Sequence, residues 1–195
     1  MDDARKIQFS TALYQHDLEK DERQVAEWYN TLSSSYDELY GKEQSHKYEM
    51  VLEFLREKHF KVLVDIGCGT GTFLEKAREI CDHSIGIDLS TKMLKIAKNR
   101  RTPNAEYVLA SSSSLPLKDN SADGTVSIST AKAEPNLPRF IADLERISQQ
   151  DSLLAVTIFQ KPGTLIPLSL AARARSTIIS DRETLYFLRP AETPK

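Results

Sequence analysis

The sequence predicts an α/β fold with parallel strands, and two observations carry this prediction. From Lys61 onward, short apolar runs rich in β-branched residues alternate with stretches of helical periodicity. The first of these runs, residues 62–66, is followed at once by Gly67, Gly69 and Gly71 and then by a helical stretch. Strands that alternate with helices are typical of parallel sheets, because parallel neighbours need a long crossover connection.

The first sixty residues are predicted to form helices in two segments. Apolar residues recur at helical spacing in both: Val25, Trp28, Tyr29 and Leu32, and then Tyr48, Val51, Leu52 and Leu55. Three consecutive serines, Ser33, Ser34 and Ser35, separate the two segments. The sequence therefore predicts a helical N-terminal part ahead of the β-rich part.

The later elements follow in chain order. Strands are predicted at residues 62–66, 84–88, 105–110, 124–129, 153–159, 176–180 and 184–188. Helices are predicted over 72–80, after Ser90 as N-cap, within 165–175, and on an apolar face formed by Leu137, Phe140, Ile141, Leu144 and Ile147. Residues 181–183 are predicted to form a tight turn between the last two strands. The total is seven strands.

Length and composition predict one cytoplasmic domain. The chain has 195 residues, the size of a single domain, with a helical part at 1–58 and an α/β core at 59–195. A net charge of −2 excludes a whole-protein field that would attract nucleic acid or an anionic membrane. No apolar stretch approaches the ~18–20 residues of a membrane span. Two cysteines, Cys68 and Cys81, are too few for a zinc cluster and are expected to be buried thiols.

The glycine cluster predicts a site for a nucleotide-like ligand with a cationic group. Glycines let backbone amides approach a ligand closely, but the spacing here is G-x-G-x-G, and Thr72 stands where a dinucleotide fingerprint has its last glycine. Asp65, two residues before Gly67, would repel a pyrophosphate and attract an ammonium or sulfonium group. These features disfavour a nicotinamide cofactor.

A second carboxylate extends this site. Asp88 ends the second predicted strand, and its two oxygens can accept hydrogen bonds from both hydroxyls of a ribose. An adenosine attached to a cationic group would satisfy Asp65 and Asp88 together. Either carboxylate alone is more often a loop or capping residue, so the prediction depends on the pair and its spacing around the glycines.

Three segments resemble class I S-adenosylmethionine-dependent methyltransferases of the small, single-domain type 11/25. They are VLVDIGCGTGTFLEKA at 62–77, IGIDLSTKMLKIAK at 85–98 and YVLASSSSLPLKDNSADGTVSIS at 107–129. The resemblance implies a Rossmann-like, doubly wound, seven-stranded and mostly parallel sheet with a reversed last strand, and S-adenosylmethionine as cofactor. Trp28, Tyr29 and residues 35–40 are similar to the W-Y...Y-D-x-x-Y segment of small members, in which an N-terminal helical lid covers the cofactor.

The resemblance also implies a set of cofactor-binding residues. Those corresponding to Asp65, Gly67 and Gly69 surround the methionine part, Asp88 holds the ribose, and Leu89 and Met93 pack on the adenine. The set is completed by Tyr36, Cys68, Ser111, Ser112 and Ser127. Ser111 departs from the family, which usually has an acidic residue there to accept from the adenine amino group; a neutral hydroxyl is the weaker acceptor.

The methyl acceptor is predicted to be a small molecule. Methyl transfer needs alignment of the nucleophile with the methyl group more than a dedicated catalytic residue, so the sequence assigns none. After the fourth predicted strand the chain lacks the N-P-P-Y of enzymes that methylate amino groups of nucleic-acid bases, and residues 1–60 carry 13 acidic against 8 basic residues. The basic run Lys92, Lys95, Lys98, Arg100 and Arg101 is interpreted as a solvated helix face. A tRNA or rRNA methyltransferase and a cofactor-binding but inactive partner subunit are the alternatives.

Overall fold

The computed structural model describes residues 21–132, 137–159, 174–178 and 183–188. Five helices are described: α1 (Glu22–Leu32), α2 (Tyr36–Leu55), α3 (Thr72–Ala77), α4 (Thr91–Asn99) and α5 (Leu137–Ile147). Seven strands are described: β1 (Phe60–Ile66), β2 (Cys81–Asp88), β3 (Ala105–Leu109), β4 (Ala122–Lys132), β5 (Ser148–Phe159), β6 (Ala174–Ile178) and β7 (Glu183–Leu188). The chain is thus α/β, as predicted, and α1 and α2 precede the β-rich part.

All seven strands form one sheet, in the order β3-β2-β1-β4-β5-β7-β6. The strands β1 to β5 are mutually parallel, whereas β7 runs antiparallel to both β5 and β6. The chain reverses its direction of growth after β3, so the carboxyl ends of β1 and β4 meet where an open α/β sheet forms its binding crevice. This arrangement confirms the mostly parallel sheet with a reversed last strand.

Two apolar layers cover the sheet. One face packs on α5 through a cluster that includes Val64, Ile87, Leu144 and Val156. The other face packs on α2 and α3 through Leu63, Val126 and their neighbours; the helix residues in this cluster are Val51, Leu52, Leu55, Phe73, Leu74 and Ala77. The second half of α2 is therefore part of the core. It fixes the position of the first half of α2 relative to the carboxyl ends of the parallel strands.

Several predicted boundaries shift in the structure. The predicted helix at 72–80 ends at Ala77, and β2 begins three residues early at Cys81, because Cys81 already pairs with Phe60. Strands β4 and β5 are both longer than predicted, since Ala122 pairs with Ser148 before the apolar run begins. Short polar residues at a strand end carry no alternation signal, so pairing decides the boundary.

The end of the chain needs a larger correction. The strand predicted at 176–180 lies at Ala174–Ile178, so the last two residues of the predicted 165–175 helix are in a strand; its remainder lies outside the described residues. Glu183, predicted in a turn, is the first residue of β7 and pairs with Phe159. Charged residues are usually exposed, but the side chain of Glu183 is only 2% exposed and forms an ion pair with Lys47. Residues 181 and 182 lie outside the described residues.

No helix in the described ranges combines the length and the apolar character that a membrane crossing requires. Both cysteines are buried free thiols, as expected. Burial raises the pKa of the Cys81 thiol to about 11 and that of the Cys68 thiol well above its usual value.

Candidate cofactor site

The glycine loop after β1 has a backbone that other residues adopt only with strain. Gly67, Gly69 and Gly71 have φ angles of 77°, 52° and 77°. A Cβ on Gly67 would lie 1.9 Å from Thr130 Oγ1 at the end of β4, so this glycine is required for close packing. A Cβ on Gly69 would meet no atom within 4 Å. The loop is therefore tight on its β4 side and open at Gly69, where a ligand can approach.

The carboxylate of Asp88 is fixed by the backbone around it. The amide of Gly69 donates to Oδ2 and the amide of Ser90 donates to Oδ1, both at 2.8 Å. Burial raises the pKa of Asp88, and the hydrogen bonds from the Ser90 and Gly69 amides act in the opposite direction. Each oxygen keeps acceptor capacity for one more donor. This geometry fits two adjacent hydroxyl groups.

Asp65 is a buried carboxyl group with no counter-charge among the described residues. Its side chain forms no hydrogen bond or ion pair with them, and the residue is 2% exposed. Burial, and secondly the charge of Asp88, raises the pKa of Asp65 to about 8. A cation placed beside this group would favour its charged form and so oppose both causes of the shift. The site therefore fits a ligand that brings an ammonium group to Asp65 and hydroxyls to Asp88.

The predicted adenine side lies at the start of α4 and after β3. Met93 is 1% exposed, and Leu89 is half-buried directly after Asp88. Ser111, Ser112 and Ser113 are half-buried in the loop that follows β3. The hydroxyl of Ser111 donates to Glu22 Oε1 at 2.5 Å, so its proton is already directed at the N-terminal part of the chain. That contact joins residues 89 positions apart, and no local sequence signal indicated it.

Two of the candidate residues, Ser127 and Cys68, have buried side chains. Ser127 is 0% exposed, shares a register position with Val156, and its hydroxyl has no hydrogen-bond partner among the described residues. A Cβ on Gly86 would lie 2.8 Å from the Sγ of Cys68. Burial, and secondly the charges of Asp65 and Asp88, raise the pKa of this thiol. A contact of either residue with the cofactor stays a prediction.

Three side chains of the N-terminal helices, Asp37, Asn30 and Glu22, attach these helices to the elements that form the site. Thr70 Oγ1 in the glycine loop donates to Asp37 Oδ1 at 2.6 Å, and Arg100 forms an ion pair with the same carboxylate. Asn30 Oδ1 accepts from the hydroxyl of Ser90 at 2.8 Å and from the amide of Lys92 at 3.0 Å. Glu22 is the third, through Ser111. The helices therefore contact the ends of β1, β2 and β3 in turn.

Arg100 corrects the interpretation of the basic run. Lys92, Lys95, Lys98 and Arg101 are exposed, but the side chain of Arg100 is 22% exposed and pairs with Asp37 and with Glu75 at 2.8 Å. Its Nε also donates to the carbonyl of Thr70 at 2.6 Å. The residue links α4 to the glycine loop and to α2. The run was interpreted from residue type alone, which does not show which side of α4 each residue occupies.

Tyr36 lies at the start of α2 in a group of tyrosines. Its ring is 6.3 Å from that of Tyr29 and 5.1 Å from that of Tyr40, measured between centroids. Burial and the charge of Asp88 raise its pKa above the ordinary value. A cleft of about 210 Å³, partly open to solvent, lies beside it; its lining residues are Tyr36, Asp37, Gly41, Gln44, Tyr48, Thr72 and Arg100.

A buried ionic network fixes the end of β4. Lys47 Nζ lies 2.6 Å from Glu183 Oε2 and donates to Ser129 Oγ at 2.9 Å, with both charged side chains at most 2% exposed. Ser129 has a φ of 58° at an irregularity in the β4–β5 pairing. The network joins α2, β4 and β7 beside Thr130, which packs on Gly67. Within the described ranges, no group of three or more His, Cys, Asp or Glu side chains is placed to hold a metal ion.

This geometry agrees with comparisons to known proteins. The family described as a methyltransferase domain matches residues 64–156, which run from β1 to β5. The solved structure of DhpI in complex with S-adenosylhomocysteine superposes with a TM-score of 0.61 at 14% identity, covering 86% of this chain and 79% of DhpI. Residues 64–156 therefore form a methyltransferase domain, and the chain has the class I methyltransferase fold.

The relatives of this chain that are similar in sequence are named for different substrates or for none. An uncharacterized protein of Methanocaldococcus jannaschii, MJ1252, is 32% identical over 154 residues, which are 77% of this chain and 57% of that protein. The demethylmenaquinone methyltransferase of Tropheryma whipplei is 25% identical, covering 73% of this chain and 62% of the relative. The Mus musculus protein named Probable tRNA methyltransferase 9B is 25% identical, covering 81% and 36%. The chain thus spans less than two thirds of the length of these relatives.

Proposed function

We propose that this protein transfers a methyl group from S-adenosylmethionine to a small-molecule acceptor. The observation that carries the proposal is the pair of carboxylates at the glycine loop. Asp65 is buried without a cation, and Asp88 offers two fixed oxygens. A ligand with an ammonium group and a ribose satisfies both carboxylates. The open space at Gly69 leaves room for the part of the ligand that joins these two groups. Methyltransferase names among the relatives support the same reaction.

The residues of this chain would mainly align the reactants. S-adenosylmethionine supplies a methyl group activated by a sulfonium. Asp65 holds the ammonium end, Asp88 holds the ribose, and the loop between them fixes the direction of the reactive bond. The acceptor then reaches the site from the carboxyl end of β4, beneath the first half of α2. An in-line displacement depends strongly on such alignment, so we assign no general base.

A small acceptor is supported by the cleft beside the first half of α2. This cleft of about 210 Å³ is lined by tyrosines and by an arginine that is already paired with two carboxylates. The relative named for demethylmenaquinone favours the same class. The four exposed basic residues of the run at 92–101 and the relative named for tRNA favour the alternative, an RNA methyltransferase. The cytoplasmic location expected from composition remains a prediction.

The two classes differ in their dependence on salt. An enzyme that neutralises several phosphates loses RNA affinity steeply, by roughly a hundredfold or more between low and physiological ionic strength. We expect weak binding of tRNA and rRNA fragments at every salt concentration, and no methyl incorporation into RNA from labelled S-adenosylmethionine. Tight, salt-sensitive binding, with incorporation abolished by changing Lys92, Lys95 and Lys98 to alanine, would establish the alternative. No incorporation into RNA or into a small-molecule extract would favour an inactive partner subunit.

We also propose that the first part of the chain acts as a lid. Helix α1 has no buried residue, and polar contacts hold it against α4 and the loop after β3. The second half of α2 is core, because Val51, Leu52 and Leu55 are at most 7% exposed. Among the described residues, this restricts the moving part to 21–43 of the predicted 1–58.

Hydrogen exchange tests the lid. We expect residues 22–40 to exchange rapidly in the free protein and to gain protection with saturating S-adenosylhomocysteine, because ligand orders the elements they contact. Residues 50–55 serve as the internal control and should be protected in both states. Equal protection of 22–40 with and without ligand would contradict a lid.

A further inference from the structure

The strand order sets the direction in which an adenosine ligand lies. Going outward from β1, the sheet continues with β2 and ends at β3. At the carboxyl ends of these strands follow the glycine loop, then Asp88, then the serine-rich loop that begins at Ser111. A ligand with its ammonium end at Asp65 and its ribose at Asp88 therefore points its base toward the loop after β3. This step depends on the function proposed above.

A carboxylate from outside the α/β core stands at that position. Glu22, in the first turn of α1, accepts from the hydroxyls of Ser111 and Ser113, both at 2.5 Å. Both bonds go to Oε1, and among the described residues Oε2 takes no hydrogen bond. The two serine hydroxyls therefore fix the orientation of the carboxylate and leave one oxygen available. They also lower the pKa of Glu22, which keeps the group charged.

We infer that Glu22 Oε2 accepts a hydrogen bond from the exocyclic amino group of the adenine. An ionised carboxylate can accept but cannot donate, so it matches a 6-amino purine and opposes a 6-oxo purine, whose oxygen also only accepts. Ser111 and Ser113 act here as positioning residues that hold the carboxylate. The specificity for the base thus comes from α1. The same side chain, Glu22, attaches this helix to the loop after β3 and recognises the base.

The inference also implies that binding of the base and attachment of α1 are coupled. Glu22 belongs to α1, which Asn30 also attaches to the start of α4 at Ser90 and Lys92. Leu89 and Met93, the predicted packing surface for the base, lie on either side of this attachment. A base bound there adds a further contact with α1, through Glu22, to the contacts that α1 makes with the core in the free protein. A ligand without the amino group should therefore leave α1 less protected from hydrogen exchange than S-adenosylhomocysteine does.

The test compares two ligands on matched variants. S-adenosylhomocysteine and S-inosylhomocysteine differ only at the edge of the base: the 6-amino donor becomes a 6-oxo acceptor, and N1, an acceptor in adenine, becomes an N–H donor. Equilibrium titration gives both affinities. We expect the wild type to prefer S-adenosylhomocysteine by about tenfold or more. Glu22→Gln replaces one acceptor oxygen by a donor, so the preference should shrink to about twofold or reverse. The matched control is Glu27→Gln, in the same helix, where the exposed carboxylate pairs with Arg23 at 3.2 Å and with no other residue in the described ranges.

The outcomes separate the possible errors. Equal loss of affinity for both ligands in Glu22→Gln would show that Glu22 only attaches the helix, and unchanged affinities would remove it from the site; either result overturns the inference alone. A wild type that binds neither ligand would overturn the proposed function as well. The double variant Ser111→Ala with Ser113→Ala keeps the Glu22 carboxylate but removes the two hydroxyls that orient it. This variant should reduce the preference for S-adenosylhomocysteine, whereas Glu27→Gln should retain that preference.

Discussion

Replacing Asp88 with alanine is expected to weaken S-adenosylhomocysteine binding by about 1.5–3 kcal/mol, since hydrogen bonds to a charged acceptor contribute in this range. The change removes the proposed partner of two ribose hydroxyls. It also frees the amides of Gly69 and Ser90, which now donate to this carboxylate. Both effects act in the same direction, because the freed loop loses the orientation that the ligand requires.

Titration calorimetry on two matched variants checks this expectation. Asp82→Ala removes an exposed carboxylate from the same strand, where it pairs with His59 at 2.9 Å, and should leave the affinity unchanged. Asp88→Asn retains one acceptor oxygen and should fall between wild type and alanine. An Asp88→Ala protein that is folded and binds S-adenosylhomocysteine as tightly as wild type would remove Asp88 from the ribose site.

Binding of S-adenosylhomocysteine at pH 7 is expected to release close to one proton from Asp65. With a pKa of about 8 in the free protein, this carboxyl is mostly protonated at pH 7. An ammonium group beside it favours the charged form and lowers the pKa, so the proton leaves as the ligand binds. Affinity should therefore rise as the pH is raised from 6 to 8. Calorimetry in buffers of different ionisation enthalpy measures the released proton.

The same shift makes the stability of the free protein depend on pH. The pKa of Asp65 is higher in the folded state than in the unfolded chain, so the folded protein binds the extra proton. This contribution to stability is complete below about pH 4 and is lost as the pH rises through 8. Asp65→Asn should abolish both the proton release and this part of the decline. Asp82→Asn, on an exposed carboxylate, should change neither. Binding without proton release in the wild type would contradict the assignment of Asp65.

The position of the candidate cofactor residues at one edge of the sheet could be predicted because these residues are close in sequence. Asp65, Gly67 and Gly69 belong to one strand and its loop, and Asp88 ends the next strand. In a parallel pair these positions must meet at one edge of the sheet, and β1 and β2 are adjacent. Local spacing was therefore sufficient to place the carboxylates around the loop.

The contacts made by the N-terminal helices could not be predicted in this way. Lys47 and Glu183 are far apart in the chain, and their residue types indicate exposure. In the structure both side chains are buried, and each compensates the charge of the other. Glu22 and Ser111 meet only because α1 folds back over α4. Helical periodicity predicts that such helices exist, but it does not say which polar residue faces which loop. The proposed acceptor side lies among these contacts, so the sequence predicts a cofactor but leaves the acceptor open between a small molecule and RNA.

A crystal structure of the protein with S-adenosylhomocysteine tests the central claim most directly. We expect the ligand's ammonium group beside Asp65, both ribose hydroxyls on the oxygens of Asp88, and the base between Met93 and the loop at Ser111. The sulfur should face the carboxyl end of β4, from which the acceptor enters. A ligand bound elsewhere, with Asp65 still unpaired and Asp88 contacted only by the amides of Gly69 and Ser90, would contradict the account.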